Sequence, residues 1–243
     1  MTRRAGVGRT VREVSRIVEP PPRGSAGSPR RRVSYRDAAL ILAERDPVIA
    51  QLVQKTGPPR FSRPTESPIA ALLRAIVYQQ LAGPAATAIH RRLMTALDDD
   101  VQPAAILALS DDTMRAVGLS AAKVASLRDL ATKVLDGTVD LSRRGLSRQT
   151  DDEIIARLSS VRGIGRWTVQ VFLLFQLRRP DVWPTGDLGV RRGYGLAWQV
   201  PMPSARELEP LGEPYHPYRS VAAWYCWRAA ELYAGAAESA LTR

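Results

Sequence analysis

A chain of 243 residues, 45% of them hydrophobic, can bury one sizeable core, either as a single unit or as two lobes. The 35 basic and 24 acidic side chains leave a net charge of +11 and a pI near 10.6, which points to a polyanion, nucleic acid before a membrane surface. A single cysteine, Cys226, excludes an internal disulfide and any four-cysteine zinc or iron–sulfur site within one chain. No apolar run approaches the roughly 20 residues that span a bilayer, and the basic start lacks the apolar stretch of a signal peptide.

Residues 1–32 read as a disordered basic tail. Its nine arginines face only Glu13 and Glu19, and Pro20-Pro21-Pro22 and the run from Gly24 to Pro29 break any helix. A DNA-binding arm, an inert extension and a transit peptide all fit that composition. From Ser34 onward the spacing predicts helices almost throughout, with no strand alternation and no internal repeat, so the class is all-α. Ser67-Pro68 supplies an N-cap and a first-turn proline, after which Ile69, Leu72, Leu73, Ile76 and Val77 form one apolar face. Asp98-Asp99-Asp100 reads as a solvated helix end, without the alternating ligands of a calcium loop. Ser120 caps a helix carrying Val124, Leu127, Ala131, Val134 and Leu135. Thr150-Asp151-Asp152-Glu153 has the capping-box form and opens a short helix through Ile154, Ile155 and Leu158. The glycine turn around Gly163 ends it, and helix restarts near Arg166 with Val169, Phe172 and Leu173. A last helix is predicted from about Tyr218 to Tyr233, with Val221, Trp224, Tyr225, Arg228 and Leu232 along one face and Cys226 as a buried structural thiol.

Two segments carry chemistry. Gly163 and Gly165 close a turn at a helix start, where backbone N–H groups can point at an anion; glycine pairs also close helical hairpins that bind nothing. Trp183-Pro184-Thr185-Gly186-Asp187 delivers one carboxylate after a Pro/Gly turn. Such a carboxylate can stabilise positive charge on a sugar as its glycosidic bond breaks, and can orient or deprotonate water. It is equally suited to cap a helix beginning at Leu188, and both roles can coexist. His90 and His216, the only histidines, have no Cys, Asp or Glu at ligand spacing, so a transition-metal site is not expected.

From about Tyr35 to about Leu232 the sequence resembles the helix–hairpin–helix DNA glycosylase superfamily, in its alkylated-base, 3-methyladenine II branch. The resemblance is carried by Tyr78-Gln79-Gln80-Leu81, by Val117-Gly118-Leu119-Ser120 with Lys123, by the hairpin, by Pro184-Thr185-Gly186-Asp187, and by Pro217-Tyr218-Arg219-Ser220. It implies one glycosylase domain over 33–243, with the helix–hairpin–helix at about 150–176. That domain would have two helical lobes, early helices beside the C-terminal ones, and the hairpin and Asp187 at the cleft. The β-rich domain preceding the core of longer bacterial members has no counterpart in the short tail.

The implied activity is that of a monofunctional, monomeric glycosylase. It would flip an alkylated purine out of duplex DNA and hydrolyse its N-glycosidic bond in base excision repair, without an iron–sulfur cluster or other cofactor. Its place would be the bacterial cytoplasm at the nucleoid, or a nucleus. Asp187 maps to the essential carboxylate. Trp167 stands where bifunctional members carry a Schiff-base lysine, and the chain's only lysines are Lys55, Lys123 and Lys133; its ring suits stacking on a flipped, cationic base. Tyr218 maps to a second stacking aromatic. Val171 and Leu188 replace aromatics of the best-known bacterial pattern and fit either a pocket wall or the core. Gln80 or Leu81 maps to the wedge that fills the vacated duplex, although Gln80 can also serve local helix-end groups. Gly163, Gly165 and Thr168 map to phosphate contacts. The carbonyls of Ser159, Val161 and Gly163 map to a site for a sodium or potassium ion bridging to that phosphate, with Arg162 where relatives have proline. A glycosylase for another lesion class would share Asp187 and the hairpin. A non-catalytic DNA-binding module would need neither Asp187 nor Trp167.

Overall fold

The computed structural model describes residues 33–241, with side chains as far as residue 234; the predicted tail at 1–32 lies outside them. The described residues are helical and contain no strand. In chain order the helices are α1 (Tyr35–Arg45), α2 (Pro47–Thr56), α3 (Pro68–Tyr78), α4 (Gly83–Ala96), α5 (Pro103–Ala108), α6 (Asp111–Ala116) and α7 (Ala121–Leu135). Then come α8 (Arg143–Arg148), α9 (Asp151–Ser159), α10 (Arg166–Phe175), α11 (Leu188–Trp198), α12 (Ala205–Leu211), a 3₁₀ turn Glu213–Tyr215, and α13 (Arg219–Leu241). Side-chain caps start many of them: Ser34, Asp46, Ser67, Ser120 and Ser204 each accept a first-turn N–H, each worth about 1 kcal/mol. The predicted capping box at Thr150 is present in both directions.

The chain divides into two compact units. One takes the chain up to Phe61 and resumes at Arg179; the other is Ser62–Arg178. In the first, α13 packs on α11 and on α1 and α2, so the early helices lie with the C-terminal ones. Contact between α11 and α13 is backbone-close. A Cβ at Gly193 would stand 1.7 Å from the Cys226 carbonyl oxygen, so only glycine fits there. Cys226 is fully buried, as its sequence pattern predicted. Asp46, 2% exposed, is the buried polar junction of this unit. Its carboxylate accepts from Val48 N at 2.7 Å, Trp198 Nε1 at 3.0 Å and Tyr215 Oη at 2.8 Å. Those donors offset a desolvation cost of several kcal/mol and tie the α1–α2 corner to the end of α11 and to the 3₁₀ turn.

In the second unit the predicted apolar face of α3 is buried throughout, and Val124, Leu127 and Ala131 of α7 join it in the core. Leu135 departs from expectation at 57% exposed, because α7 ends there and the chain turns out at Asp136. The Val117–Ser120 motif is a tight helix junction: Gly118 has φ +106°, Arg92 Nε donates to Val117 O at 2.9 Å, and Ser120 caps α7. Lys123 Nζ then reaches the Val77 carbonyl at the end of α3 at 2.7 Å. Burial pulls this lysine below the ordinary value.

Candidate functional site

The hairpin lies between α9 and α10 and is cradled by one face of α7. Gly163 has φ +76°, and a Cβ there would stand 2.6 Å from Ser126 Oγ, so both backbone and space require glycine. One turn along α7, Asp129 Oδ2 accepts from Arg162 N at 2.7 Å and from Lys133 Nζ at 2.9 Å. Lys133 Nζ also donates to Ser160 O at 2.5 Å. Burial opposes ionisation of Asp129, yet the Arg162 N–H and the Lys133 ammonium hold its carboxyl below the ordinary carboxylate value. Arg162 is thus pinned through its own N–H, a donor that a proline at this position would lack. Helix α10 starts at Gly165 without a side-chain cap, and Gly163, Gly165, Arg166 and Trp167 are exposed. A helix start on an exposed rim, with no side chain of the N-cap residue over its N–H groups, suits an anion. Thr168, beside that rim on the first turn of α10, is nearly buried at 7% exposed.

The carbonyls expected to hold a cation are partly engaged. Gly163 O accepts from Gln79 Nε2 at 2.8 Å and Val161 O from Ile164 N at 3.0 Å, and each retains a second lone pair. The Gln79 bond joins the hairpin to the segment after α3 that carries Gln80 and Leu81. Helix α3 ends at Tyr78, so Gln80 lies two residues beyond it rather than ending it, in left-handed backbone at φ +56°. Gln80 and Leu81 are both exposed, Leu81 at 38%.

Asp187 belongs to the other unit. A turn from Pro184 O to Asp187 N at 2.9 Å brings the chain into α11, and Asp187 is its N-cap, with Oδ1 accepting from Val190 N at 2.9 Å. The residue is 8% exposed, and Trp227 Nε1 donates to the same oxygen at 2.9 Å. The arm leading to it is anchored by the motif after Pro217. Arg219 Nε and Nη2 hold the Asp181 carboxylate at 2.9 and 2.8 Å. Buried Ser220 Oγ accepts from Val182 N at 2.9 Å and donates to Arg179 O at 2.6 Å. Trp183, 4% exposed, donates to Leu208 O at 2.9 Å.

The predicted residues therefore fall into two sets. Trp167, Val171, the hairpin glycines, Gln80 and Leu81 are in the second unit; Asp187, Leu188 and Tyr218 are in the first. Leu188 is 62% exposed and so not a core residue, and Trp167 is 48% exposed, while Val171 and Tyr218 are half-buried. Sequence reasoning missed Trp227, Arg219, Ser220 and Asp129 as supports. Arg219 and Ser220 stand inside the Pro217-Tyr218-Arg219-Ser220 motif, which was a usable signal. Trp227 and Asp129 give none locally. Among the described residues no cluster of His, Cys, Asp and Glu could hold a metal, and no helix is long and apolar enough to cross a membrane.

Comparison with known proteins agrees with this architecture. A family model described as HhH-GPD superfamily base excision DNA repair protein matches residues 73–215. DNA-3-methyladenine glycosylase 1 of Schizosaccharomyces pombe is 34% identical over 204 residues, 82% of this chain and 89% of that protein. Its solved structure in complex with abasic DNA superposes with a TM-score of 0.71, covering 80% of this chain and 96% of that one. A DNA-3-methyladenine glycosidase from Bacillus halodurans, 28% identical, reaches a TM-score of 0.75 over 82% of this chain and 91% of its own. With its capped helices, its glycine hairpin and Asp187 at the head of α11, the chain belongs to the HhH-GPD superfamily of base excision DNA repair proteins, among its DNA-3-methyladenine glycosylases.

Proposed function

We propose that the chain is a monofunctional DNA-3-methyladenine glycosylase of type II, which excises alkylated purines from duplex DNA in base excision repair. The observation that carries the reading is the Asp187 carboxylate, nearly buried and held by two N–H groups at the head of α11. The names of the relatives support the substrate class. Gly163 and Gly165 take a backbone phosphate, and Gln80 or Leu81 fills the gap left by the flipped nucleotide. Trp167 and Tyr218 stack on the extruded base, with Val171 and Leu188 as less bulky walls. Asp187 then stabilises the oxocarbenium-like sugar and orients water, leaving an abasic site. Alkylation at N3 or N7 makes the purine a cationic leaving group, so modest electrostatic help suffices.

With no lysine near Trp167, no amine nucleophile is available for strand cleavage. The protein works as a monomer without a redox cofactor. Ser159 and Val161, with Gly163, would hold a sodium or potassium ion that adds positive charge beside the phosphate. The test is base release from duplexes carrying one lesion each, across alkylated, oxidised, deaminated and mismatched bases. Release of 3-methyladenine and 7-methylguanine above all others is expected; preference for an oxidised or mismatched base would overturn the assignment.

A further inference from the structure

Asp187 needs only Val190 N to act as a cap, yet a second donor arrives from a helix forty residues further on. Trp227, half-buried on α13, places Nε1 2.9 Å from Asp187 Oδ1, the oxygen that already accepts Val190 N at 2.9 Å. The cap bond to Oδ1 already resists rotation of the carboxylate about Cβ–Cγ, and a second donor on that oxygen stiffens the restraint. Two donors converging on one oxygen from different helices set that rotation, and with it the direction of Oδ2. The donor type matters as well. An indole N–H is uncharged and donor-only, so it holds the carboxylate without neutralising it and without taking up a proton. An arginine or lysine there would hold it equally well and cancel the charge that faces the developing cation.

The packing of α11 makes room for this contact. A Cβ on Gly189 would stand 2.8 Å from Trp227 Cδ1 and 3.1 Å from both Trp227 Nε1 and Asp187 Oδ1. One turn further, Gly193 admits the backbone of α13 at Cys226, the residue before Trp227. Two glycines on one face of α11 thus set how closely α13 approaches and how far residue 227 reaches.

We propose that Trp227 is the positioning residue of Asp187: its indole N–H aims the carboxylate, and Gly189 and Gly193 hold the indole in range. The proposal rests on the catalytic reading of Asp187. It is tested with the full chain under single-turnover conditions on a duplex carrying one 7-methylguanine, whose cationic base leaves a measurable rate even in weak variants. Trp227→Phe removes the N–H and keeps an apolar ring. Replacing Trp227 by 3-benzothienylalanine puts sulfur where the N–H was and keeps the indole's shape, so that packing is preserved.

Both changes should slow base release about 10- to 100-fold, the scale of a misaimed group, with abasic-DNA affinity and Tm close to the parent's. Gly189→Ala, which must displace the indole, should give a comparable loss. In an Asp187→Asn background, with no charge left to aim, the same two changes should cost less than about twofold. An undiminished rate for the benzothienyl protein overturns the proposal, as does an equal loss in both backgrounds, which is the signature of packing alone. If Asp187→Asn by itself keeps the parent's rate, the catalytic reading of Asp187 has failed, and the aim of its carboxylate has no reaction to serve.

Discussion

Replacing Asp187 by Asn removes a charge and little else. Asn ranks beside Asp as an N-cap, and its carbonyl can still accept from Val190 N and Trp227 Nε1, so α11 should start where it does now. What is lost is Coulomb attraction to the sugar as it becomes oxocarbenium-like. At 8% exposure the carboxylate is shielded from bulk water, and an effective dielectric constant of about 20 is the appropriate scale. A unit charge about 4 Å from the cation is then worth about 4 kcal/mol, close to a thousandfold in rate. Single-turnover release of 3-methyladenine should fall by about that factor, with abasic-DNA affinity and Tm nearly unchanged. Asp187→Ala should be as slow and also about 1 kcal/mol less stable, because the cap is gone. The loss for Asp187→Asn should be smaller on cationic 7-methylguanine than on neutral hypoxanthine, whose departure needs more help. A rate within about tenfold of the parent, with the fold intact, would refute the electrostatic role and leave Asp187 a cap.

Borohydride should trap no covalent adduct with substrate DNA, and strand breaks should appear only after alkali or heat; a robust adduct would end the monofunctional assignment. Deleting residues 1–32 should weaken binding to all DNA sequences alike and lower the log–log salt slope by about 0.9 for each phosphate that the tail neutralises, whereas an unchanged slope makes the tail a bystander. Gly193→Ala should destabilise the protein by about 3 kcal/mol or more in urea unfolding, since its Cβ meets Cys226 O at 1.7 Å; a loss below about 1 kcal/mol would show that α13 can simply move away.

What could be read from the sequence was whatever local chemistry fixes. Ser67, Ser120 and Thr150 announce their helices because a cap and the N–H it serves are three residues apart. The apolar face of α3 follows from a period of 3.6. The hairpin was legible because Gly163 must adopt a positive φ, which few other residues tolerate. The supports of the site depend on distant pairs: Trp227 with Asp187, Arg219 with Asp181, Asp129 with Arg162. No periodicity links residues thirty to forty positions apart, so these partners emerge only when helices pack. Gln80 illustrates a different limit. Glutamine is not a usual left-handed residue, and its φ of +56° comes from the turn into α4 and not from its own preference.

Capping α11 and the proposed catalytic role are compatible in Asp187, for a physical reason. Electrostatic stabilisation of a transition state is effective only if the charge is already in place when the bond breaks; a mobile carboxylate would spend its attraction on being ordered. A helix N-terminus solves that problem in advance. The N–H of Val190 fixes the carboxylate, and the positive end of the α11 dipole favours an anion there. Near-burial at 8% exposure would otherwise be costly for such a group, and the two N–H donors on Oδ1 reduce that cost without opposing its charge. Arg219 and Ser220 hold the incoming arm, and Gly193 holds α13 against α11. On the proposed role of Asp187, their effect on chemistry would run through where one carboxylate points, and helix packing in this unit would set reaction rate as well as stability.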